Sequence, residues 1–572
     1  MRKLLRVDMA KGTCITEDVD KQYPNAGGRS LTSAIIAAEV NPHSHALGAS
    51  NKIVIAPGLL SGTSCVNSGR LSIGAKSPLT GTIKESNVGG TAALYLGKMQ
   101  IAGIVIENLP AQGSLFSLLV KTDGAELMPA DDLKGLGNYD LVEKLKEKYS
   151  DKVSIISIGP SGENRLSSAT VAVTDPDGRP CRHAGRGGIG AVMGSKGLKA
   201  IIVDPADAPG VPISDKAAFK NASKFLKNML VESDYTAPKT GEYAKYGMNL
   251  IMDPVNDLGA LPSYNYRQGQ FEGVSKINGK ALYNTIKERG GKYNHSGCST
   301  CIIQCSNVYV DMEGKYVTSS LEYETLFALG SNCGIDDLDA LAQMDRLCDD
   351  YGIDTMETGC AIAVAMEGGV KSFGDANGAI ELIKEIGKCS PMGRILGSGT
   401  EVTGKAYGVV RVPVVKGQSM AGYDPRVIKG LGVTYATSTM GADHTAGFAA
   451  VFSETDRDPK GKARMSRNSQ NLMGFIDTIG ICFAVTDVAK QDNGGVESMA
   501  NMVNATYGWK KTMKDYIELG KNVLAMEKEF NEKAGFTAKD NRLPEFMRTE
   551  KVSPNNTVFD VSYDEIDEMF EQ

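Results

Sequence analysis

The sequence predicts an α+β protein of several domains, in which one β domain is followed by two α-helical domains. Short runs rich in Ile and Val fill the first 208 residues, and longer segments of Ala, Lys, Glu, Leu and Met follow them. The 572 residues correspond to about three to five domains of roughly 100–200 residues each. With 42% hydrophobic and 23% charged residues, the chain as a whole is predicted to be folded.

The N-terminal β domain is assigned to residues 1–208. Its runs are short, contain many β-branched residues and are bounded by Gly, Pro, Asn and Asp, which is the pattern of strands. The predicted strands lie in NKIVIAPG, GRLSIGAKSP, IAGIVIENLP, LFSLLVKTDG, KVSIISIGPSG, SATVAVTDPDG and LKAIIVDP.

The two α-helical domains are assigned to residues 209–415 and 416–572. The first boundary is a change of composition near 205–210, after which DKAAFKNASKFLKNMLVES and GAIELIKEIGK have helical patterns. The second boundary is weaker and lies where RVPVVKGQSMAGYDPR interrupts the helices. The charged C-terminal tail, which contains Pro and Asn, is expected to form a surface arm.

The charge balance and the N-terminus exclude several classes of protein. A net charge of −6 provides no basic field for phosphate backbones, so nucleic acid is not an expected partner. The start, MRKLLRVDMAKGTC, lacks the apolar core of a secretory signal. No segment has the roughly 18 apolar residues of a transmembrane helix. A cytoplasmic protein without membrane insertion is therefore predicted.

The strongest local motif is the CxxCxxxC spacing of Cys298, Cys301 and Cys305. Iron–sulfur clusters usually have four Cys ligands, so a fourth ligand is expected from elsewhere in the chain. An iron–sulfur cluster is favoured over zinc because no HxxxH pair or second CxxC completes a zinc pattern. A zinc site, or chance in a chain with 11 cysteines, remains the alternative.

A second pattern, DxxGI, occurs twice. It covers residues 349–354, from Asp349 to Asp354, and residues 477–482, from Asp477 to Cys482. In one interpretation, two helical domains present carboxylates to the equivalent halves of an NH-rich heterocyclic ligand such as a pterin, and Cys482 connects one half to the cluster. In the other, Asp and Gly simply end helices at both places. The repetition of DxxGI alone favours this second interpretation.

A glycine-rich segment, Gly185–Gly190, matches the GxGxxG pattern of dinucleotide sites. A dinucleotide site is rejected because residues 180–183 are polar and no strand is expected to lead into the first glycine. The dense backbone NH groups beside Arg182 and Arg186 suit a phosphate or another anion, and a tight glycine turn is the equal alternative. Taken singly, Arg70 and Asn87 do not distinguish a site from a surface cation and a turn former.

Two titratable residues are candidates for acid–base chemistry. Glu324 follows Leu321-Glu-Tyr and His444 follows Gly441-Ala-Asp, and a carboxylate with an imidazole can transfer protons. In isolation, each residue is better explained as a helix-face glutamate or a capping histidine. The competing histidines are His43, His45, His183 and His295.

A colinear series of motifs resembles the aldehyde ferredoxin oxidoreductase family of tungsten enzymes. The motifs follow the family's order and cover the chain from the N-terminus to about residue 545. They are GGRSL, SGRLSIGAKSPLTG, SNVGG, IGPSGEN, HAGRGGIGAVMGSKGLKAI, CSTCIIQC, LEYETLFALGSNCGI, DDYGID and DTIGIC.

The resemblance implies a β domain that forms a two-sheet saddle under a tungsten or molybdenum ion, with two α domains closing over it. The metal is held by two pyranopterins, and a nearby 4Fe–4S cluster passes electrons outward. The implied cluster ligands are Cys298, Cys301, Cys305 and Cys482. The implied pterin contacts are Asp349, Ile353 and Asp354 for one pterin, and Asp477, Ile481 and Phe483 for the other.

The resemblance also implies roles for the remaining candidates. Arg70 lies between the cluster and a pterin, and Glu324 with His444 forms the acid–base pair beside the metal. A bridging Mg²⁺ contacts the backbone carbonyls of Asn87 and His183. The implied phosphate-binding positions are Asn87, Gly89, Arg182, His183, Ala184 and Gly185.

The expected function is oxidation of aldehydes to carboxylic acids, with electrons leaving singly through the cluster to ferredoxin or a partner redox subunit. One alternative is a low-potential reductase like the catalytic subunit of tungsten-dependent benzoyl-CoA reductases. The intact Glu-Tyr-Glu and Asp-His positions favour the aldehyde. The other alternative is a non-catalytic Fe–S electron-transfer protein or a zinc-bound structural protein. Tungsten and molybdenum are not distinguished, because no side chain is expected to bind the metal.

Two departures from the family pattern stand out. Some members bind a mononuclear iron at a dimer interface through ExxH, but this chain has Ala-Gln-Met-Asp-Arg at residues 342–346. That iron is expected to be absent, and a homodimer is only a possibility. Asp443 precedes the candidate histidine, and Thr445 and Ala446 follow it where some members have a lysine, so an unusual substrate pocket is expected.

Overall fold

The N-terminal part of the computed structural model, which describes residues 2–570, contains two six-stranded sheets. All seven predicted strand segments form strands. The strands are β1 Lys3–Asp8, β2 Thr13–Asp18, β3 Ile53–Pro57, β4 Leu71–Lys76, β5 Ile83–Val88, β6 Ile101–Glu107, β7 Phe116–Lys121, β8 Gly124–Pro129, β9 Ser154–Ser157, β10 Val171–Val173, β11 Arg182–Ala184 and β12 Leu198–Val203. The helices among them are α1 Val19–Gln22, α2 Gly28–Glu39, α3 Ala92–Lys98, α4 Asn138–Tyr149, α5 Pro160–Glu163 and α6 Ile189–Ser195.

The two sheets repeat one topology. The strand order is β2-β1-β6-β3-β4-β5 in the first sheet and β8-β7-β12-β9-β10-β11 in the second. In each sheet the opening hairpin is antiparallel, and its first strand pairs in parallel with the last strand in sequence. Strands β5 and β11 are therefore equivalent, and these two edge strands lie next to each other. Side chains of both sheets share one buried core, so the two repeats form a single β unit.

The chain after the sheets is largely helical. The two predicted helical segments form α7 and α15, whereas the three-stranded sheet of β13 to β15 was not predicted. The helices up to residue 407 are α7 Lys216–Glu232, α8 Glu242–Tyr246, α9 Met252–Asp257, α10 Val274–Ile277, α11 Gly279–Glu288, α12 Tyr323–Thr325, α13 Leu338–Tyr351, α14 Thr355–Glu367, α15 Ala376–Gly387, α16 Pro391–Gly397 and α17 Thr400–Tyr407. The strands are β13 Lys292–His295, β14 Ser306–Val310 and β15 Tyr316–Ser319.

The last part of the chain begins with the short hairpin of β16 Val414–Val415 and β17 Gln418–Ser419. Its helices are α18 Lys429–Thr437, α19 Lys462–Ile479, α20 Gly495–Tyr507, α21 Met513–Lys533, α22 Phe546–Thr549 and α23 Tyr563–Asp567. No helix within residues 2–570 is long and apolar enough to cross a membrane.

The expectation of a C-terminal surface arm is wrong. Phe546, Met547, Phe559 and Val561 are buried in the large hydrophobic core that also holds α13 and α14. The charged residues of the tail lie between these apolar ones, so its composition concealed an irregularly spaced buried face. The same core contains residues from both predicted helical domains, and the boundaries at 208 and 415 stay predictions.

Candidate active site

A cavity of about 330 Å³ lies between the two sheets and the helices. All of the predicted site residues except Ala184, Ile481 and the four cysteines line it. Ala184 and Ile481 are buried in hydrophobic cores next to it. His43, His45 and His295 do not line this cavity, so His183 and His444 are its two histidines within residues 2–570.

Both DxxGI segments are the ends of helices. α13 ends before Gly352 and α19 ends before Gly480, and both glycines adopt the left-handed conformation, with φ of 68° and 78°. The next residue in each loop, Ile353 or Ile481, donates its backbone NH to a carbonyl of the last helical turn. This is the usual glycine-ended helix. The interpretation that Asp and Gly end helices at both DxxGI segments is therefore right about the backbone.

Each loop is hydrogen-bonded to one sheet repeat just before an equivalent strand. In the first loop, Thr170 NH donates to Gly352 O at 2.9 Å, immediately before β10. In the second, Arg70 NH donates to Gly480 O at 3.3 Å, immediately before β4. We call β1–β6 with loop 477–482 the first half-site, and β7–β12 with loop 349–354 the second half-site.

Glycines allow the loops to approach the sheets. A Cβ on Gly58, after β3, would lie 2.2 Å from the Cα of Gly480. A Cβ on Gly159, at the equivalent place after β9, would lie 2.4 Å from the backbone of Tyr351. Real Cβ atoms do not come this close to backbone, so both positions require glycine.

In the second half-site, Asp349 lies beside His183. The His183 Nε2 is 3.1 Å from Asp349 Oδ1, and its Nδ1 is 2.7 Å from the hydroxyl of Thr170. The hydroxyl of Tyr139 donates to the other Asp349 oxygen at 3.3 Å. Burial first, and then the nearby Asp349, raises the pKa of Asp345 well above its usual value.

Asp354, at the end of the same loop, has a structural role as well. Its side chain caps α14 by accepting from the backbone NH of Met356 at 2.9 Å. Its other oxygen is 3.3 Å from Nε of Arg186, which is buried and also pairs with Glu357 at 3.3 Å. The Arg186 guanidinium thereby neutralises two buried carboxylates.

In the first half-site, Asp477 belongs to a separate buried network. Arg29, from α2, is 3.4 Å from Asp477 and 2.8 Å from Glu527 of α21. Burial, and then the neighbouring Glu85, raises the pKa of Asp477 to about 8, although Arg29 and Arg70 act in the opposite direction. Arg29 lies in the quoted GGRSL segment but was not singled out as a site residue.

The ends of β5 and β11 present Asn87 and His183 to the cavity at equivalent positions. Arg70 Nε donates to Asn87 Oδ1 at 2.5 Å, and its NH2 donates to the Asn87 carbonyl at 3.3 Å. This is one of the two carbonyls expected to contact Mg²⁺.

One premise about the glycine-rich segment is wrong, because β11 does run into Gly185. This strand has three residues and pairs antiparallel with β10. A dinucleotide site requires a parallel βαβ unit, so its rejection stands on topology instead.

The four candidate cysteines are half-buried free thiols and do not line the cavity. A Cβ on Gly89 would lie 2.3 Å from Sγ of Cys298, so the sulfur directly abuts the end of the first half-site. Burial, and then the proximity of Cys298, raises the pKa of Cys301 to about 12. Burial alone would lower the pKa of the Arg70 guanidinium, but the Cys482 and Cys298 sulfurs raise it. These effects place the thiols and Arg70 in one neighbourhood.

In the described chain, no three or more His, Cys, Asp or Glu side chains converge in a way that could hold a single metal ion. A 4Fe–4S cluster is bound through one thiolate per iron, so its ligands surround the cluster and need not converge on one point. The finding therefore does not test a four-iron site.

Asn67 was not predicted, yet it joins the cysteine segments. Its backbone NH donates to Thr300 O, and its carbonyl accepts from the NH of Cys482, both at 2.9 Å. Its side-chain amide lies 3.6 Å from the Cys301 sulfur. The residue has a φ of 56°, a conformation that Asn tolerates better than most residues. The CxxCxxxC loop and the Cys482 loop are thus fixed relative to each other.

Glu324 and His444 form a pair on the cavity wall. Nε2 of His444 is 3.0 Å from Oε1 of Glu324, and the Tyr423 hydroxyl donates to the same oxygen at 3.2 Å. Burial would raise the pKa of Glu324, but His444 and Tyr423 together lower it below its usual value. Such a carboxylate is ionised at neutral pH.

Asp443, the departure noted before the histidine, anchors this loop. Its Oδ2 is 2.5 Å from Nζ of the buried Lys84, and its Oδ1 accepts from the NH and hydroxyl of Thr445 at 3.0 and 2.8 Å. Burial opposes ionisation of Asp443, but Lys84, Arg186 and His444 lower its pKa. Asp443 therefore holds His444 in place.

A second cavity, of about 1110 Å³, shares Met473 and Phe483 with the first. The Phe448 ring contacts those of Phe483, Phe452 and His444 with centroid distances of 5.5, 5.8 and 6.4 Å. Apolar and aromatic side chains thus lead from this cavity to the Glu324–His444 pair.

Three polar atoms of cavity-lining side chains are buried without a hydrogen-bond partner in the part of the chain that is described. They are Arg182 Nε, Glu322 Oε2 and His444 Nδ1. Unpaired buried polar groups are costly, so their convergence on one cavity suits a polar ligand there.

Models of one protein family match most of the chain. The family models for the aldehyde ferredoxin oxidoreductase N-terminal domain and domains 2 and 3 match residues 4–205 and 224–572. A tungsten-containing aldehyde ferredoxin oxidoreductase from Pyrococcus furiosus is 33% identical over 95% of this chain and 90% of the relative. A protein with the same description from Thermococcus kodakarensis is 32% identical over the same shares.

Among solved structures, a chain of the active site complex BamBC of benzoyl coenzyme A reductase matches with a TM-score of 0.81. The match covers 95% of this chain and 90% of that chain at 19% identity, which shows the fold alone. The fold and the two family matches define an oxidoreductase. The chain belongs to the aldehyde ferredoxin oxidoreductase family.

Proposed function

We propose that this oxidoreductase converts aldehydes to carboxylic acids at a tungsten or molybdenum bis-pyranopterin. Electrons leave through a 4Fe–4S cluster to ferredoxin or a partner redox subunit. The observation that carries the proposal is the Glu324–His444 pair on a cavity bounded by two equivalent half-sites. Two relatives are described as tungsten-containing, which favours tungsten over molybdenum. The possible homodimer and the cytoplasmic location stay predictions.

Each half-site is proposed to hold one pterin, because carboxyl groups form paired hydrogen bonds with NH-rich rings. The second half-site would use Asp349, Ile353 and Asp354, and the first would use Asp477, Ile481 and Phe483. The phosphates and their Mg²⁺ would lie at the ends of β5 and β11, on Asn87, Gly89, Arg182, His183, Ala184 and Gly185, with Arg70 toward the cluster. The free Nε of Arg182 fits a phosphate oxygen.

The cysteine ligands proposed for the cluster are Cys298, Cys301, Cys305 and Cys482. Four neighbouring thiolates would repel one another, so a cationic iron core suits this donor set.

When bound, a bis-pyranopterin metal centre supplies a two-electron acceptor for the substrate. The two side chains that contact the Glu324 carboxylate, His444 and Tyr423, both meet Oε1, so we assign Oε2 as the acceptor of a proton from the aldehyde hydrate. His444 contacts Glu324 through Nε2, so its free Nδ1 can donate to an oxygen of the aldehyde or its hydrate. The rings of Tyr423 and Phe448 lie beside the His444 ring and reduce its exposure to solvent.

The catalytic role of Glu324 is tested by Glu324→Gln. The variant should retain its metals and lose about 10²–10⁴-fold in aldehyde-dependent reduction of a viologen dye. Tyr423→Phe is the matched control, because it removes one hydrogen bond and keeps the carboxylate. Its activity should fall less, and its acid limb should move to higher pH, since loss of that bond raises the pKa of Glu324. Full activity in metal-loaded Glu324→Gln would remove Glu324 as the base.

The reaction itself is tested with anaerobically purified enzyme and a panel of aldehydes. Dye reduction that depends on an aldehyde, with formation of the acid, is the expected result. A preparation that contains the metals but oxidises none of the aldehydes would contradict the proposal. Reduction of benzoyl-CoA by the same preparation with a low-potential donor would then favour the reductase alternative.

A further inference from the structure

Helix α7 carries four exposed lysines that the proposed chemistry does not use. Lys216, Lys220, Lys224 and Lys227 are spaced by four, four and three residues, so they follow one side of the helix. We call these four side chains the lysine face. Across residues 2–570, none of them has an ion pair or a side-chain hydrogen bond.

The lysine face is unfavourable within the isolated chain. Like charges at a spacing of four residues destabilise a helix by about 0.2–0.5 kcal/mol per pair. Other helices use this spacing for ion pairs, such as Lys405–Glu401 at 2.7 Å and Lys533–Glu529 at 2.6 Å. A helix that breaks a local rule without a compensating contact in the fold is expected at a functional surface. The lysine face is also positively charged, whereas the chain as a whole has a net charge of −6.

The buried side of α7 packs against α20, within the hydrophobic cluster that includes the cysteine segments. Phe219, Leu226 and Leu230 belong to the hydrophobic cluster that also includes three of the four candidate cluster cysteines. The lysine face therefore lies on a helix of the same hydrophobic cluster as three of the thiols. At the C-terminal end of the helix, Val231 and Tyr235 are 43% and 54% exposed and add apolar surface beside the charges.

We propose that the lysine face is the docking surface for a small, acidic iron–sulfur electron carrier. This inference rests on the proposed function, in which electrons leave through the cysteine-bound centre. Carboxylates of the carrier pair with the lysines, and the local positive field steers a carrier that the chain's net charge would otherwise repel. In each encounter one electron passes from the cysteine-bound centre to the oxidised carrier, and no bond forms or breaks.

The test is calorimetric titration of the anaerobically purified holoenzyme with an oxidised, acidic 4Fe–4S ferredoxin at low ionic strength. This binding measurement requires neither substrate nor turnover. Lys220→Glu/Lys224→Glu should weaken binding at least about tenfold, and added salt should remove most of the difference between variant and wild type.

The matched control is Lys144→Glu/Lys148→Glu on α4. These lysines are exposed and have the same spacing, but α4 packs on a hydrophobic cluster that contains none of the four cysteines. The control should bind like wild type. An equal loss in both double variants, or no loss in the α7 variant, would overturn the docking surface.

Viologen reduction with an aldehyde separates this inference from the proposed function. The small dye does not need the lysine face, so both double variants should reduce it at the wild-type rate. Ferredoxin binding that depends on α7, in an enzyme that oxidises no aldehyde, would overturn the proposed function and leave the docking surface intact. Normal dye reduction with binding that is indifferent to α7 would overturn the docking surface alone.

Discussion

The two half-sites share a backbone frame but differ in the side chains that complete it. In both, a glycine-ended helix meets a sheet repeat just before an equivalent strand, and a second glycine in the sheet allows the close approach. The residue before that strand is Arg70 in the first half-site and Thr170 in the second. The last residue of the loop is Cys482 in the first and Asp354 in the second.

This difference explains how two half-sites with the same backbone frame can differ in their access to the proposed cluster. Asp354 caps α14 and pairs with Arg186, so the second half-site ends in a closed structural network. Cys482 and Arg70 instead lie beside the Cys298 sulfur, so the first half-site opens toward the proposed cluster. In this account the repeat holds two like pterins, and one substituted loop position selects the side from which electrons leave.

The largest expected effect comes from the last loop position. Cys482→Ala should reduce iron from about four per chain to near zero, because a proposed cluster ligand is lost, while far-ultraviolet circular dichroism stays close to wild type. Asp354→Asn, the equivalent change in the second half-site, should retain the iron. Cys14→Ala is the matched cysteine control, since Cys14 is also a half-buried free thiol. Unchanged iron in Cys482→Ala would sink the assignment of the fourth ligand.

The buried ion pairs behind the loops should differ next. Glu527→Gln leaves Arg29 buried with only the longer contact to Asp477, and breaking such a pair costs about 3–5 kcal/mol. Glu357→Gln should cost less, because Arg186 keeps Asp354 and two acceptors at Ser419 and Ala442. Thermal unfolding at one scan rate measures both. A larger loss in Glu357→Gln would reverse this ranking of the two networks.

The shared frame itself is tested at the two close approaches. Gly58→Ala and Gly159→Ala should each destabilise the protein by about 1–3 kcal/mol, because both new methyl groups meet backbone. Gly124→Ala is the control, since its Cβ would meet nothing within 4 Å. If only one of the two site variants is destabilised, the half-sites are not equivalent in packing.

A pH dependence of stability is also expected from the first half-site. The pKa of Asp477 is about 8, so between about pH 4 and 8 the folded state holds a proton that the unfolded state has released. This contribution therefore makes wild-type stability fall as the pH rises through that window. Asp477→Asn cannot titrate, so its melting temperature relative to wild type should increase from pH 5 to pH 8. A constant difference would show that Asp477 is not protonated in the fold.

Strands whose residues are buried on both faces could be predicted from the sequence, and strands at the site could not. Runs such as Leu198–Val203 can be recognised because consecutive Ile and Val residues end them. The site strands β5 and β11 contain polar residues or only three positions, because they present groups to the cavity. The repeat of sheet topology was therefore missed.

The candidate site likewise has features that the sequence pattern reveals and features that it does not. The DxxGI echo is visible because a helix end of this kind requires glycine in the left-handed conformation. The Arg29–Glu527 pair joins residues 498 positions apart, and Asn67 acts through its backbone, so neither leaves a local pattern. Family resemblance assigned the proposed roles of Cys482 and the half-site residues, and these roles stay predictions.

The most direct test of the two-half-site account is the composition of the anaerobically purified protein. Plasma mass spectrometry would give iron, tungsten, molybdenum and zinc per chain, and oxidation of the released cofactor to fluorescent products would give the pterin content. The account predicts two pterins for each tungsten or molybdenum, together with about four irons per chain. One pterin per metal, or zinc without tungsten or molybdenum in a folded preparation, would contradict it.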